Sequence, residues 1–304
     1  MNEEMITIGS SSIGAILGLS PWSSPWDVWS RSHGLSKSTA TFSTERGHIL
    51  EPAIGSYYAK LNSVGIEKGP EYEESPIIGP EPWMHARPDF FVTEEESKWL
   101  LEIKSTRKFD DKWGNSGSSN VPPYYAAQCI WQMAVTDTDR CDLAAFATFT
   151  DEYRSFRLDR DKKLEDKIVG YVRDWYNKHI KEGNPPEVDG SSACSKSLAN
   201  IFRQEGKVFI EQTDRHLELA NELSSIRSEY SRIEARKKEI ENLLKESIGT
   251  AYGIEGIATW SQSKPRNLFD RKSFEADHPD LAKNYTKQAE PTRTFRFQYT
   301  GEKK

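Results

Sequence analysis

Two apolar segments separated by six polar residues place the strongest constraint on how this chain folds. Met84–Val92 and Trp99–Ser105 are rich in aromatic, β-branched and aliphatic residues, and the intervening TEEESK is typical of a turn. The pattern therefore predicts an antiparallel β-hairpin. Because side chains alternate between the two faces of a strand, Glu102 and Lys104 are expected to point the same way, with Ile103 turned into the core.

Asp89 lies on the first of these strands, directly after Pro88. If the two strands pair, its carboxylate converges with that of Glu102 on a single hard cation. Mg²⁺ or Mn²⁺ held by carboxylates suits phosphodiester hydrolysis, because it acts as a Lewis acid and lowers the pKa of a bound water. Lys104 would orient or help to deprotonate that water, or neutralise charge in the transition state. The alternative is a solvated Glu–Lys pair on a strand edge, which contributes little to stability.

Two further side chains are candidates for the same site. Glu51 lies in a predicted helix from Ser43 to Leu61 and would supply another carboxylate. The alternative is that it is an exposed glutamate on the surface of that helix. Gln128 lies in a predicted helix from Tyr124 to Val135. Its amide would hold either the attacking water or a phosphate oxygen. The alternative is that Gln128 is only a polar neighbour of core aromatic residues.

Other patterns in the first 190 residues alternate between helix and strand. Gly, Pro, Ser and Asp mark their ends. Helices are predicted at residues 10–18, 25–34 (with Ser24 as the N-cap) and 161–181, and strands at residues 71–78, 142–149 and 152–158. The sequence GNPPEVDGSS, residues 183–192, is typical of a domain boundary.

Beyond that boundary, side chains recur alternately four and three residues apart, which predicts a long helix with a heptad seam. The seam residues are apolar except for one lysine: Leu219, Leu223, Ile226, Tyr230, Ile233, Lys237, Ile240 and Leu244. Such a helix packs on its own chain or on a partner copy, and the alternative is a docking arm for another protein.

The segment after Gly249 combines two predicted strands, residues 256–260 and 294–299, with an irregular basic stretch. From Ser261 to Lys304 there are ten Lys or Arg against six Asp or Glu, a local balance of +4. In this segment Arg and Lys alternate with Phe and Tyr, a combination that suits a surface that binds DNA or a partner protein. A solvated, partly ordered C-terminus is the alternative.

Composition limits the class of protein. The chain has 304 residues and a net charge of −6, which argues against a generally basic surface but permits a locally positive groove around an acidic metal site. No apolar run reaches the roughly 18 residues that span a bilayer. The start of the chain lacks the pattern of a secretory signal. Three scattered cysteines suit a reducing compartment, so a cytoplasmic setting is expected.

Several stretches taken together resemble the YqaJ-like viral recombinases, relatives of the phage lambda-type exonuclease in the PD-(D/E)XK nuclease superfamily. They occur in the family's order and approximate spacing between residues 8 and 150: SSSIGAILGLSPWSSPWDVW, RGHILEPAIGSYY, HARPDFF, LLEIKST and PPYYAAQCIWQMAVT. The resemblance implies an α/β fold, a restriction-endonuclease-like core in which helices flank a mixed central β-sheet.

The resemblance also assigns roles to residues. It implies that Glu51, Asp89 and Glu102 bind Mg²⁺ (or Mn²⁺), together with the backbone carbonyl of Ile103. Lys104 would act on the water, and Gln128 would complete the catalytic set. For DNA binding, the resemblance points to the serine of the opening motif, for which Ser11 is the nearest match, with Ser12 beside it. Arg87 stands where the family has a small residue, and its guanidinium is a further candidate for binding a DNA phosphate.

At the level of the whole protein, the resemblance implies digestion of duplex DNA from its ends, recombination beside a single-strand annealing partner, and a ring-shaped homo-oligomer. Three regions are expected: residues 1–190 as the nuclease domain, 191–250 as a helical region and 251–304 as a basic C-terminal region. A structure-specific or restriction-type endonuclease on the same core remains an alternative. So does a catalytically dead DNA-binding or annealing protein, although the full candidate set speaks against it.

Overall fold

The fold is taken from a computed structural model, which describes residues 5–36, 41–71, 73–204, 206–287, 295–297 and 299. The chain divides into two compact units, residues 1–203 and residues 204–304. Both larger sheets belong to the first unit, and the long heptad helix belongs to the second. Within the described residues, no helix combines the length and apolarity needed to cross a membrane.

The first unit is built on eight strands. They are β1 (Ile8–Gly9), β2 (Gly65–Lys68), β3 (Ile77–Ile78), β4 (Met84–Ala86), β5 (Phe90–Glu94), β6 (Ser97–Thr106), β7 (Arg140–Ala147) and β8 (Glu152–Asp159). The central sheet has the order β2-β5-β6-β7-β8; the β6–β7 pair is parallel and its other pairs are antiparallel. A smaller sheet has the order β1-β4-β3. The mixed central sheet and the β5–β6 hairpin confirm the sequence-based predictions.

The prediction of one continuous strand from Met84 to Val92 is wrong. β4 ends at Ala86 in the small sheet, and β5 begins at Phe90 in the central sheet. The residues between them include Pro88, which has no N–H to donate to a strand ladder. The chain therefore crosses from one sheet to the other immediately before Asp89.

The predicted strand over residues 71–78 is also mostly wrong, because among its described residues only Ile77–Ile78 pairs. The preceding loop contains Pro76, and two of its carbonyls accept hydrogen bonds from a side chain. The Arg87 guanidinium donates to the carbonyls of Glu71 and Glu74 at 3.3 and 2.7 Å. That loop is thus attached to the crossover between the two sheets.

Six helices surround the two sheets in the described part of the first unit. They are α1 (Ser10–Ile16), α2 (Pro25–Ser32), α3 (Phe42–Asn62), α4 (Pro123–Thr136), α5 (Lys162–Trp175) and α6 (Ser192–Ile201). α5 continues as a π-helical segment, Tyr176–Lys181. At the start of α2, Ser24 and Asp27 form a capping box, which accounts for the predicted boundary.

α3 and α4 cover opposite faces of the central sheet. Ile54 and Tyr58 of α3 pack with Leu101 and Ile103 of β6. Residues of α4 pack with the opposite side of the same strand, for example Ile130 and Met133 against Leu100. The alternation of side chains along β6 thus decides which of its residues face each helix.

A buried polar network attaches α3 to the sheet. The Tyr58 hydroxyl donates a hydrogen bond to the Asp142 carboxylate of β7 and accepts one of 3.3 Å from the Trp99 indole. Arg140 donates two hydrogen bonds to the same carboxylate, at 2.7 and 2.6 Å. These contacts satisfy a buried acid and fix the position of α3, the helix that carries Glu51.

The end of the first unit lies beyond the stretch at residues 183–192. α6 packs on α2, where the Ser197 hydroxyl contacts the Asp27 carboxylate, and the Phe202 ring lies 6.3 Å from that of Trp26. The domain limits placed at residues 190 and 250 stay predictions.

The second unit contains α7 (Asp214–Ile248), the short hairpin strands β9 (Gly253–Ile254) and β10 (Ala258–Thr259), α8 (Arg271–Asp277) and α9 (Pro279–Asn284). α7 includes the whole heptad run. In the predicted strand at residues 294–299, Thr294 and Gln298 lie outside the described residues, and residues 295–297 are not in a strand.

Candidate active site

The hairpin brings the first elements of the candidate site together on β6. Glu102 and Lys104 lie on the α4 side of the strand, where the lysine ammonium makes a short ion pair with Glu102 Oε1. Ile103 points the other way and is buried against α3. This is the alternation expected for a strand buried on both faces.

Asp89 lies where β5 begins, beside the middle of β6. Phe90 is paired with Leu101, so Asp89 comes level with Glu102. One Asp89 carboxylate oxygen accepts a hydrogen bond of 2.6 Å from the backbone N–H of Ile103. The carboxylate therefore takes the place that a further residue of β5 would occupy in the ladder.

The environment of Asp89 disfavours its charged form. Burial raises the pKa of this carboxyl well above its usual range, and the negative charge of Glu102 raises it further. The Lys104 ammonium and the hydrogen bond from Ile103 act in the opposite direction but do not cancel these effects. Two carboxylates thus share a poorly solvated space.

Glu102 is almost completely buried, at 2% exposure, and both of its carboxylate oxygens are held by amides of α4. Gln128 donates a hydrogen bond of 2.6 Å to Oε1, and Gln132 donates one of 2.7 Å to Oε2. Because glutamines at positions i and i+4 lie on the same side of a helix, a single turn of α4 orients the whole carboxylate.

Lys104 is the cation of the site. Burial lowers the pKa of its ammonium group, but Glu102 and Asp89 raise it by more, so the net shift is upward. The ammonium also lies 5.1 Å from the centre of the Tyr125 ring. Lys104 is therefore charged, and it balances part of the negative charge of the two acids.

These side chains open onto a cleft of about 860 Å³. Its walls include Ser11, Glu51, Arg87, Asp89, Glu102, Ile103, Lys104 and Gln128. Glu51 faces it from α3, and burial is the main cause of the raised pKa of this carboxyl. Of the residues proposed from the sequence, Ser12 alone does not line this cleft; Ser11 is exposed and Ser12 is half-buried.

The residues present suit a hard divalent cation, although their carboxylates are engaged with protein donors. Among the residues that the structure describes, no three His, Cys, Asp or Glu side chains are grouped around one metal position. Asp89, Glu102 and the Ile103 carbonyl nevertheless offer oxygen donors, the type that Mg²⁺ prefers. A cation would also relieve the like-charge repulsion that raises the pKa of Asp89.

Sequence reasoning missed Gln132 as a member of the site. It is fully buried and contacts Glu102 across 30 positions of sequence. Its spacing of four residues from Gln128 was the available signal, because it puts both amides on one stripe of a helix. Trp22 is 65% exposed, and its ring centre lies 5.0 Å from that of Tyr124 and 6.2 Å from that of Tyr125, but it is not among the residues that line the cleft.

The comparisons with known proteins agree with the predicted resemblance. Residues 3–139 match the model of the YqaJ-like viral recombinase domain. The matched segment contains every residue of the candidate site named above. A curated relative, the uncharacterized protein YqaJ of Bacillus subtilis (strain 168), is 26% identical over 303 residues, which covers 95% of this chain and 90% of the relative.

Two solved structures are similar to part of this chain. One is LHK-Exo, an alkaline exonuclease from Laribacter hongkongensis, in complex with dAMP. Its sequence is 20% identical, the match covers 58% of this chain and 89% of that chain, and the TM-score is 0.44. The other is a phage related exonuclease from Haemophilus somnus 129PT. Its sequence is 14% identical, the match covers 60% of this chain and 99% of that chain, and the TM-score is 0.43.

Proposed function

We propose that this protein is a metal-dependent deoxyribonuclease that digests duplex DNA from its ends. The observation that carries the proposal is the convergence of Asp89 and Glu102, with Lys104 beside them, in one cleft. The match to the YqaJ-like viral recombinase domain supports it, because the resemblance implies digestion of duplex DNA from its ends. Two acids and a lysine held this closely are a costly arrangement for a purely structural strand.

Asp89, Glu102 and the Ile103 carbonyl would hold the metal, and Glu51 would add a carboxylate from the cleft wall. In a strand, the C=O of a residue points to the same side as its N–H, and the Ile103 N–H is directed at Asp89. When bound, Mg²⁺ or Mn²⁺ would polarise the phosphate and lower the pKa of a water molecule.

The side chains have their own tasks in this proposal. Lys104 supplies a fixed positive charge next to the scissile phosphate, where negative charge increases in the transition state. Gln128 and Gln132 keep the Glu102 carboxylate in one orientation, so the site is organised before substrate binds. Gln128 also lines the cleft, where it can contact a phosphate oxygen or the attacking water.

Contacts to the DNA backbone are proposed for Ser11, Ser12 and Arg87. Ser11 is exposed in the cleft and can donate to a phosphate oxygen. Arg87 also lines the cleft, but its guanidinium donates to two loop carbonyls, so it positions that loop as well as offering charge. Ser12 follows Ser11 on α1.

The wider role is proposed from the family. A recombinase-type nuclease would leave single strands for an annealing partner, and a ring-shaped oligomer would retain the DNA between cuts. The proposed cellular site is the cytoplasm of a bacterial or phage-infected cell, and the basic segment after residue 250 is proposed to contact DNA or that partner.

The experiment that tests the proposal compares linear duplex DNA, labelled at its ends, with a closed circle of the same sequence. The expected result is Mg²⁺-dependent loss of the linear substrate and survival of the circle. Glu102→Ala and Lys104→Ala should each lower the rate by about 10²-fold or more. Lys98→Ala, on the distant end of the same strand, is the matched control.

Three outcomes would contradict the proposal in different ways. Equal cutting of the circle would identify an endonuclease. DNA binding without cleavage in Mg²⁺ or Mn²⁺ would identify a DNA-binding or annealing protein. Activity in EDTA, or full activity of either variant, would exclude the proposed site.

A further inference from the structure

The heptad seam of α7 is open in the described part of the chain. Its central side chains are between 44% and 61% exposed: Leu219, Ile226, Tyr230, Ile233 and Ile240. Leu223 and Leu244 are half-buried. A stripe of this length, apolar at seven of its eight positions, is the pattern that supports pairing of two helices.

We propose that this seam pairs with the same seam of a second copy of the chain, in antiparallel orientation. The heptad assigns Leu223, Tyr230, Lys237 and Leu244 to position a, and Leu219, Ile226, Ile233 and Ile240 to position d. In an antiparallel pair, each a residue packs in a layer with a d residue of the other helix.

One register puts the whole seam in contact, with the two-fold axis near residues 231 and 232. Its layers are Leu219 with Leu244, Leu223 with Ile240, Ile226 with Lys237, and Tyr230 with Ile233, each formed twice. Lys237 then lies beside an isoleucine, where its aliphatic stem can pack while the ammonium reaches solvent. A parallel pair in register would instead bring Lys237 against Lys237.

The charges beside the seam favour the same orientation. In an antiparallel pair, g positions flank g positions, so Glu229 meets Arg236 of the second copy, and e positions flank e positions, so Arg227 meets Glu234. Both combinations are of opposite charge, and symmetry forms each of them twice. In a parallel pair, Glu229 would meet Glu234, which is repulsive.

Arg227 already has one contact in its own unit. Its guanidinium lies over the Phe297 ring, 4.6 Å from the ring centre. An arginine uses the face of its guanidinium for such a contact and the N–H edge for a carboxylate, so pairing with Glu234 of the second copy is compatible with it.

The test is the association of the full-length chain, measured by sedimentation velocity over a range of concentrations. The unmodified chain should show a concentration-dependent dimer or a multiple of it. Glu229→Arg and Arg236→Glu should each weaken that step about tenfold, since two attractive pairs become repulsive. An equimolar mixture of the two variants should recover it, because each new charge then faces its opposite.

Two charge reversals away from the seam are matched controls: Lys238→Glu and Glu246→Arg should leave the association unchanged. Circular dichroism of each variant should keep the helical signal. The antiparallel pairing is overturned if the chain stays monomeric, if Glu229→Arg leaves association unchanged, or if it strengthens association. The last result would indicate a parallel pair, because the introduced arginine would face Glu234.

Discussion

The Gln132 side chain on α4 donates a hydrogen bond of 2.7 Å to Glu102 Oε2 from a fully buried position. Its own amide oxygen lies near the Cys141 thiol of β7. Gln132 therefore connects the candidate site to the core of the sheet, and it has no route to solvent of its own. A buried amide that lacks a hydrogen-bond partner lowers the stability of a protein. The hydrogen bond to the Glu102 carboxylate therefore accounts for a glutamine at this position.

Gln132→Met tests this relationship, because methionine has a similar shape but no donor. We expect the unfolding free energy to fall by about 1–3 kcal/mol, since a buried carboxylate oxygen loses its partner. Nuclease turnover should fall while DNA binding stays close to normal. Met133→Leu, a neighbouring core change of similar volume, is the control. Unchanged turnover in Gln132→Met would limit Gln132 to a structural role.

Gly69→Ala should distort the site by displacing the backbone next to Asp89. A Cβ atom at Gly69 would lie 1.9 Å from the carbonyl oxygen of Pro88, so the backbone before Asp89 has to move. We expect a loss of about 1–3 kcal/mol in stability and a large drop in activity.

Gly170→Ala in α5 is the matched control for that change, because nothing lies within 4 Å of the added methyl group. It should stabilise the protein by about 0.5–1 kcal/mol. Chemical denaturation and a nuclease assay on both variants give the comparison. Full activity of Gly69→Ala would mean that the Asp89 backbone tolerates a shift.

Asp89→Asn should stabilise the protein at neutral pH while it abolishes activity. The pKa of Asp89 is raised in the folded state, so the charged form opposes folding, and stability falls as the pH rises from the unfolded pKa through the folded pKa. Replacing the charged carboxylate by a neutral amide should therefore raise the unfolding free energy at neutral pH. Urea unfolding at several pH values should show that this gain shrinks at acid pH, and a gain independent of pH would contradict the assignment.

Mg²⁺ should raise the thermal stability of the unmodified protein if the two acids hold it. Binding to the folded state alone adds about 2.7 kcal/mol when the ion is present at 100 times its dissociation constant. Glu102→Gln should lose this response, and Glu96→Gln, on the exposed hairpin turn, should keep it. An equal rise in thermal stability with Mg²⁺ in both variants would mean that the ion binds at another position.

Much of the fold follows from local pattern. The alternation along Trp99–Ser105 predicts which residues face each side of β6, and the heptads predict α7, because both depend on neighbours in the sequence. The break at Pro88 was not predicted, because the apolar residues on either side of it have the pattern of one continuous strand. In the structure these residues belong to two different sheets. Long-range contacts such as Gln132 with Glu102 depend on strand order and helix placement, which single residues do not encode.

The crossover at Pro88 ties the geometry of the candidate site to two cores at once. Upstream of it, Trp83 and Met84 are packed in the core beneath α1 and α5; downstream, Phe90 belongs to the core beneath α3. We therefore expect a loss of packing in either core to displace Asp89. Heat or core substitutions should accordingly lower nuclease activity at temperatures where the secondary structure is still complete.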